Sequence, residues 1–296
     1  MTHMLGIDLG GTDIKSALIT KDGSQSETRS TPTPQADPSG ESAINRLSEI
    51  ILEYARDHSF EGVGLAVPGL VDNVNGIGLY SGTLGWRDLP IVSALEEKTC
   101  KKVTLEHDVT AIGHAENRIG EAKDVSSAVV VAIGTAIAAS VIIDGEVYHP
   151  HPAVGEIGHT PTGNDRPCVC GLTGCLEMTA SGGAISRNYK ALTGEKISAL
   201  DIFNRASKGE AQASELVNEF MDTLSTALVF VSALIGPDVI VVSGGVSKAG
   251  EDFVGDLQKA LDKKLSIHKR PLLRLSKLQA GAGAIGAGLL GWERLT

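Results

Sequence analysis

The segment Met4-Leu5-Gly6-Ile7-Asp8-Leu9-Gly10-Gly11-Thr12-Asp13-Ile14-Lys15-Ser16-Ala17-Leu18-Ile19-Thr20-Lys21-Asp22-Gly23 decides the fold. Met4 to Leu9 reads as an apolar strand, Gly10-Gly11-Thr12 interrupts it, Ile14 to Thr20 resumes a strand, and Asp22-Gly23 turns the chain. The segment is a hairpin with glycine at its mouth. The pattern returns at Ser127 to Ile133, Gly134-Thr135, Ile137 to Ile143 and Asp144-Gly145, with Thr12 and Thr135 standing 123 positions apart. Such a duplication predicts two similar mixed α/β domains whose glycine mouths face one another across a cleft.

Outward from the first hairpin, a polar, Pro-containing stretch from Ser24 to Glu41 leads to an amphipathic helix over Ser42 to Asp57, with Ile44, Leu47, Ile51 and Leu52 on its apolar face. Val63 to Val67 is a buried strand ending at Pro68-Gly69. Val103 to Leu105 is a short strand, and a helix follows over Val109 to Ile119 with Asp108 where an N-cap would sit. After the second hairpin come helices near Ile197 to Lys208 and Glu210 to Ile235, the strand Val239 to Val242, Ser243-Gly244-Gly245-Val246 and another helix. A Gly/Ala-rich helix, Ala280 to Trp292, suited to close packing, ends the pattern. The expected domains are 1–120, with the C-terminal helix 284–296 packing back on it, and 121–283.

Of 296 residues, 42% are hydrophobic and 21% charged, which suits a globular protein with one or two substantial cores. The formal charge of -10 repels a phosphate backbone and argues against general nucleic-acid binding. Thirty-five glycines against 11 prolines point to tight backbone turns in a folded domain. No basic stretch followed by an apolar one opens the sequence, so a cytoplasmic location is expected. The uncharged run Ala128 to Ile143 is too short for a bilayer, which takes roughly 20 residues, and reads as two buried strands.

Glycines in Asp8-Leu9-Gly10-Gly11-Thr12 let backbone N–H groups approach a phosphate, and Thr12 adds a hydroxyl. Asp8 suits Mg²⁺, a hard ion held by one or two carboxylates and phosphate oxygens. Gly134 and Thr135 offer a second phosphate contact, and Gly244 and Gly245 would admit an adenosine ring or phosphate; in order and in duplicated contexts these loops favour a nucleotide. His159, Cys168, Cys170 and Cys175 supply the Cys₃His set that tetrahedral Zn²⁺ prefers. Four protein ligands leave no open position for water, so the zinc is expected to be structural, bracing the loop that carries Glu156 and Glu177. Cys100 stands alone and reads as a small apolar side chain.

Asp8-x-Gly10-Gly11-Thr12, Pro68-Gly69, Glu106-His107-Asp108 with Glu116, Gly155-Glu156-Ile157-Gly158-His159 and Cys168-x-Cys170-Gly171-x-x-Gly174-Cys175-x-Glu177 occur in the order and spacing of the ROK family of sugar kinases and repressors. The sequence resembles that family over nearly its whole length, most specifically in the zinc segment. The resemblance implies an actin-like, hexokinase-like fold, with two ribonuclease H-like α/β domains around a cleft, and ATP-dependent phosphorylation of a hexose at its 6-hydroxyl. Asp108 matches the family's catalytic base; Glu156, His159 and Glu177 match sugar-contacting positions. His159 would place one ring nitrogen on zinc and leave the other for a hydroxyl. The implied ligands are a hexose, such as glucose or an N-acetylhexosamine like N-acetylmannosamine, together with ATP, Mg²⁺ and Zn²⁺; the implied assembly is a homodimer or homotetramer.

The sequence departs from the family at specific positions. His107 stands before the base where Asn is usual, and is grouped here with the substrate-binding residues; Thr110 and Thr83 also replace Asn. The second phosphate loop reads Gly134-Thr135-Ala136-Ile137-Ala138-Ala139, where each methyl restricts how near the backbone comes to phosphate. A sugar-binding regulator or sensor with weak or lost catalysis is the alternative reading. A DNA-reading module would need some 60 residues ahead of Asp8, where seven stand, so DNA is not an expected partner, and the shortness of the uncharged run 128–143 leaves no membrane expected either. A polyphosphate donor would want a basic track; the short clusters Lys101-Lys102, Lys263-Lys264 and Lys269-Arg270 do not decide it.

Overall fold

Two five-stranded sheets with the same strand order carry the fold. The computed structural model describes residues 2–278 and 281–296, so the expected helix start at Ala280 lies outside the described residues. The chain divides into one unit of Met1–Gly120, His149–Ala153 and Ala280–Thr296, and a second of Glu121–Tyr148 and Val154–Gln279.

The first unit runs β1 (Met4–Leu9), β2 (Asp13–Ile19), β3 (Gln25–Pro32), α1 (Glu41–Asp57), β4 (Val63–Val67), β5 (Leu70–Asp72), β6 (Ile77–Tyr80), β7 (Arg87–Leu89), α2 (Ile91–Thr99), β8 (Val103–His107) and α3 (Asp108–Ile119). Its main sheet has the order β3-β2-β1-β4-β8. β1 pairs antiparallel with β2, Asp8 opposite Lys15, and parallel with β4, which pairs parallel with β8. Three parallel strands therefore end together at Leu9, Val67 and His107, the carboxyl ends at which open α/β sheets bind ligands. Leu5, Ile7 and Leu9 of β1 form the core with Ile44, Leu47 and Ile51 of α1, whereas Leu52, expected on the same face, is exposed and Ile50 and Tyr54 are buried instead.

The polar stretch after Ser24 contains a strand. β3 is an exposed edge strand, so one-sided hydrophobic alternation never marks it. β5, β6 and β7 make a separate antiparallel sheet from strands of three or four residues, too short to show a period.

The second unit runs β9 (Ala128–Ile133), β10 (Ile137–Ile143), β11 (Glu146–Val147), a 3₁₀ turn (Ile157–His159), α4 (Glu177–Ala180), α5 (Gly182–Thr193), α6 (Ala199–Ser207), α7 (Ala211–Ile235), β12 (Val239–Ser243), a 3₁₀ segment (Gly245–Ala249), α8 (Gly250–Lys264) and β13 (Leu272–Leu275). Its sheet, β11-β10-β9-β12-β13, repeats the first: an antiparallel hairpin on one side of the leading strand and two parallel strands on the other. The duplication read from the glycine loops is thus a duplication of topology. β9 and β10 account for the uncharged run. Among the described residues one helix, α7, is long and apolar enough to cross a membrane; its Leu216, Phe220, Leu224 and Leu228 are buried in this unit's core.

The final helix, α9 (Ala282–Leu295), belongs to the first unit and lies against β1 and β4. Gly6 and Gly64 allow the approach: a Cβ on either would overlap the carbonyl oxygen of Ala284 or Ala287. Trp292 Nε1 donates to the Ile19 carbonyl at 3.0 Å and fixes the helix along the hairpin.

Candidate active site and metal centre

In the first unit the glycine loop joins β1 to β2 and is fixed from the side by Thr33, whose hydroxyl donates to the Gly10 carbonyl at 2.7 Å and whose N–H donates to that of Thr12 at 2.8 Å. Gly10 also lacks room for a side chain, since a Cβ would come within 2.8 Å of the Asp13 carbonyl oxygen. Gly11 and Thr12 remain exposed, as a ligand-facing loop requires. The Thr83 methyl abuts Gly11, while Thr110 is buried in α3.

Asp8 ends up near Asp108 because β1 and β8 finish at the same end of the sheet. Burial, then the negative charge of Asp108, pushes the Asp8 carboxyl up to about 7, with Lys15 opposing. A carboxylate pair short of positive charge fits a divalent cation.

Asp108 is the first residue of α3 and not its cap. The cap position falls to His107, without a side-chain cap hydrogen bond. The Asp108 Oδ1 accepts instead from the N–H of the next residue, Val109, at 2.7 Å, whereas a capping side chain reaches two or three residues on. His107 is buried with 4% exposed, and its Nε2 lies 3.0 Å from Asp108 Oδ1. The ring expected among the sugar contacts therefore rests on the candidate base.

Behind this pair sits a polar cluster that sequence reading missed. Glu106, buried at the end of β8, accepts from Asn73 Nδ2 at 2.8 Å and Arg294 Nη2 at 2.7 Å, and lies 3.3 Å from His149 Nδ1. It also accepts from the His107 N–H at 2.9 Å. Burial alone would raise its pKa, but His149, Arg294 and Asn73 outweigh it and hold the carboxyl down at about 2.

In the second unit Glu156, His159 and Glu177 gather around the start of β10. Gly155 and Gly158 press against it, for a Cβ on either would overlap the carbonyl oxygen of Ala139 or Ile137; Glu177 Oε2 accepts from the Ile137 N–H at 3.3 Å. β10 begins at Ile137, where the sequence places the strand, so Ala138 and Ala139 are buried strand residues. Only Ala136 stands in the loop beside Gly134 and Thr135.

Gly134 meets two other glycine pairs. A Cβ on Gly182 would lie 2.8 Å from the Gly134 carbonyl oxygen, and one on Gly183 2.5 Å from that of Thr135. Gly244, at φ +85°, leaves only 2.7 Å to the Ile133 backbone, and a Cβ on Gly245 would lie 4.0 Å from the Gly134 Cα. Gly182 and Gly183 were not singled out from sequence; their local signal is Ser181, whose hydroxyl caps α5 by accepting from the Ala184 N–H at 3.0 Å.

The metal set converges. The ligating atoms of His159, Cys168, Cys170 and Cys175 all lie within 4.8 Å of one another. Cys168 Sγ is 3.5 Å from His159 Nδ1, and Cys170 Sγ is 3.6 Å from Cys175 Sγ. Tetrahedral Zn²⁺ with ordinary bond lengths needs S···N and S···S edges of about 3.6 and about 3.8 Å, so the residues fit the ion. Burial, with the neighbouring thiols, pushes Cys175 up to about 12, a cost that a cation removes. Nδ1 faces the thiols and Nε2 faces Glu156 Oε2, 3.9 Å away, which leaves the second nitrogen on the Glu156 side. Arg166 anchors the loop by a two-pronged contact to Glu219 of α7 at 2.7 and 3.0 Å.

Three comparisons with known proteins bear on the family of this chain. A family model described as the ROK family matches residues 4–293. The chain is 31% identical to a glucokinase of Thermotoga maritima over 99% of its length and 98% of that protein's, and 29% identical to an N-acetyl-D-glucosamine kinase of Vibrio parahaemolyticus over 96% and 98%. Among solved structures, a ROK hexokinase from Thermus thermophilus superposes with a TM-score of 0.84 at 29% identity, covering 99% of each chain.

Proposed function

We propose a function from the premise that this chain belongs to the ROK family: it is an ATP-dependent kinase that phosphorylates the 6-hydroxyl of a hexose, glucose or an N-acetylhexosamine. The observation that carries the reading is the half-buried Asp108 carboxylate, placed at the end of the sheet beside Asp8 and the Gly10-Gly11-Thr12 loop. Relatives named glucokinase and N-acetyl-D-glucosamine kinase, each matched over nearly its full length, support a kinase over a regulator.

A sugar hydroxyl is a poor nucleophile. Asp108 accepts its proton as the hydroxyl oxygen attacks the γ-phosphorus, and the bond to the bridging oxygen breaks with its electrons going to ADP. In the first unit the amides of Gly10, Gly11 and Thr12 offer donors to phosphate oxygens, and in the second those around Gly134, Thr135, Gly244 and Gly245 offer donors to a nucleotide. Asp8 would hold Mg²⁺, which when bound would supply charge neutralisation on the phosphates. Glu156, His159 Nε2 and Glu177 bind sugar hydroxyls. His159 Nδ1, Cys168, Cys170 and Cys175 hold a structural Zn²⁺ that braces those residues. Three thiols reserved for a metal suit the reducing cytoplasm.

A coupled phosphotransfer assay with ATP and a panel of hexoses, N-acetylated ones included, tests the reading. Phosphorylation of at least one hexose is expected. If several sugars bind and none is phosphorylated, the chain is a sugar sensor and the kinase reading fails.

A further inference from the structure

His107, expected among the sugar contacts, lies instead against the candidate base. Its ring is buried and its Nε2 lies 3.0 Å from Asp108 Oδ1. The same oxygen accepts the Val109 N–H at 2.7 Å. Both contacts fall on Oδ1. With the Val109 N–H bonded to Oδ1 and the imidazole nitrogen against the same oxygen, rotation about the Cβ–Cγ bond is restricted, and neither contact falls on Oδ2.

The His107 backbone is itself held. Its N–H donates to Glu106 Oε1 at 2.9 Å, and Glu106 is fixed from three directions by Asn73, Arg294 and His149. The imidazole is thus tethered at its main chain by a buried, ionised carboxylate and spends its outward nitrogen on the neighbouring aspartate. A hydrogen-bonded partner that orients a catalytic group is a recurring way to lower a barrier without touching the substrate, because the reacting atom is placed before the substrate arrives.

We propose that His107 is a positioning residue for phosphoryl transfer: its Nε2–H donates to Asp108 Oδ1 and so reserves Oδ2 as the atom that takes the sugar's proton. The proposal rests on the kinase reading above. It departs from the expectation that His107 binds sugar, since the ring contacts the base and acts through it.

Two substitutions separate the roles. Gln places a donor near the position of Nε2, whereas Met fills the space without one. His107→Met is expected to lower kcat by about 10-fold or more while the hexose KM stays within about 3-fold, the pattern of an interaction that matters only in the transition state. His107→Gln is expected to recover kcat to within about 3-fold of the unsubstituted protein. A raised KM with unchanged kcat in either variant would make His107 a sugar ligand and overturn the proposal, as would a full rate in His107→Met. Because a buried Met risks misfolding, a measurement on the unsubstituted protein stands beside it: the His107 Nε2–H should appear in the proton spectrum as a slowly exchanging, downfield resonance that shifts in Asp108→Asn. If that nitrogen carries no proton, the proposal fails. Failure of the kinase reading shows separately, as no phosphorylated hexose with the unsubstituted protein.

Discussion

Arg294 Nη2 meets Glu106 Oε2 at 2.7 Å, joining the last turn of α9 to the end of β8, 188 residues earlier in the chain. The contact sits one residue before His107 and two before Asp108. A helix formed from the end of the chain therefore anchors the strand that delivers the candidate base.

The Glu106 partners make its contribution to stability pH-dependent. With a carboxyl held at about 2 when folded and an ordinary value of 4.5, the folded state favours the ionised form, so the stabilisation is full above pH 4.5 and is lost as pH falls toward 2. The amount is on the order of 3 kcal/mol, taking 1.36 kcal/mol per pKa unit. Denaturant unfolding between pH 5 and 2 should show a steeper loss for the unsubstituted protein than for Glu106→Gln, which cannot titrate there. Parallel curves would mean that the Arg294, Asn73 and His149 contacts do not form in solution.

The metal set makes a stoichiometric prediction. Freshly purified protein should hold one zinc per chain, and Cys175→Ser should lose it, because the remaining three ligands bind far more weakly. Hydrogen exchange over residues 160–176 should rise in that variant, since the loop is closed by few backbone contacts, such as Thr162 N–H to the Gly174 carbonyl at 2.7 Å and Cys168 N–H to that of Leu172 at 2.8 Å. Metal-free protein that keeps its loop protection and activity would remove the site.

Gly283 tests the surroundings of Asp8. A Cβ at this position of α9 would overlap Asp8 Oδ2, so Gly283→Ala forces the carboxylate aside. Alanine raises helix propensity by up to about 1 kcal/mol while overpacking costs about 1 to 3, so the variant should be less stable by up to about 2 kcal/mol and still fold. The KM for MgATP should rise by about 10-fold, the equivalent of one charge contact of about 1.4 kcal/mol. Unchanged nucleotide kinetics would show that Asp8 takes no part in holding the cation.

Both hairpins are legible in the sequence because strand, glycine loop and Asp-Gly turn are local signals, whereas the parallel strands and the edge strand β3 that complete the duplicated sheet order are set by distant pairings. The four metal ligands were legible for the same reason, lying within 17 residues of one another. The local pattern alone puts Asp108 where a cap would sit and only the family resemblance makes it the base, since a strand followed by Asp and an apolar helical run looks the same whether the carboxylate caps or faces solvent. The convergence of Asn73, His149 and Arg294 on Glu106 was not legible: each comes from a different part of the chain, and a buried polar contact leaves no periodic trace. The pair Gly182-Gly183 was passed over because glycine after a serine reads as a helix start, while its need for room depends on Gly134 and Thr135 of a distant loop.

The central claim is that Asp108 takes the proton from a hexose hydroxyl, and the turnover of Asp108→Asn measures it most directly. Asn keeps an oxygen for the Val109 N–H and removes the proton acceptor, so melting temperature and hexose affinity should stay close to those of the unsubstituted protein. Turnover with ATP and the best hexose should fall by about 10²-fold or more, the usual contribution of a general base. A well-folded Asp108→Asn protein that phosphorylates its hexose at a near-normal rate would contradict the account.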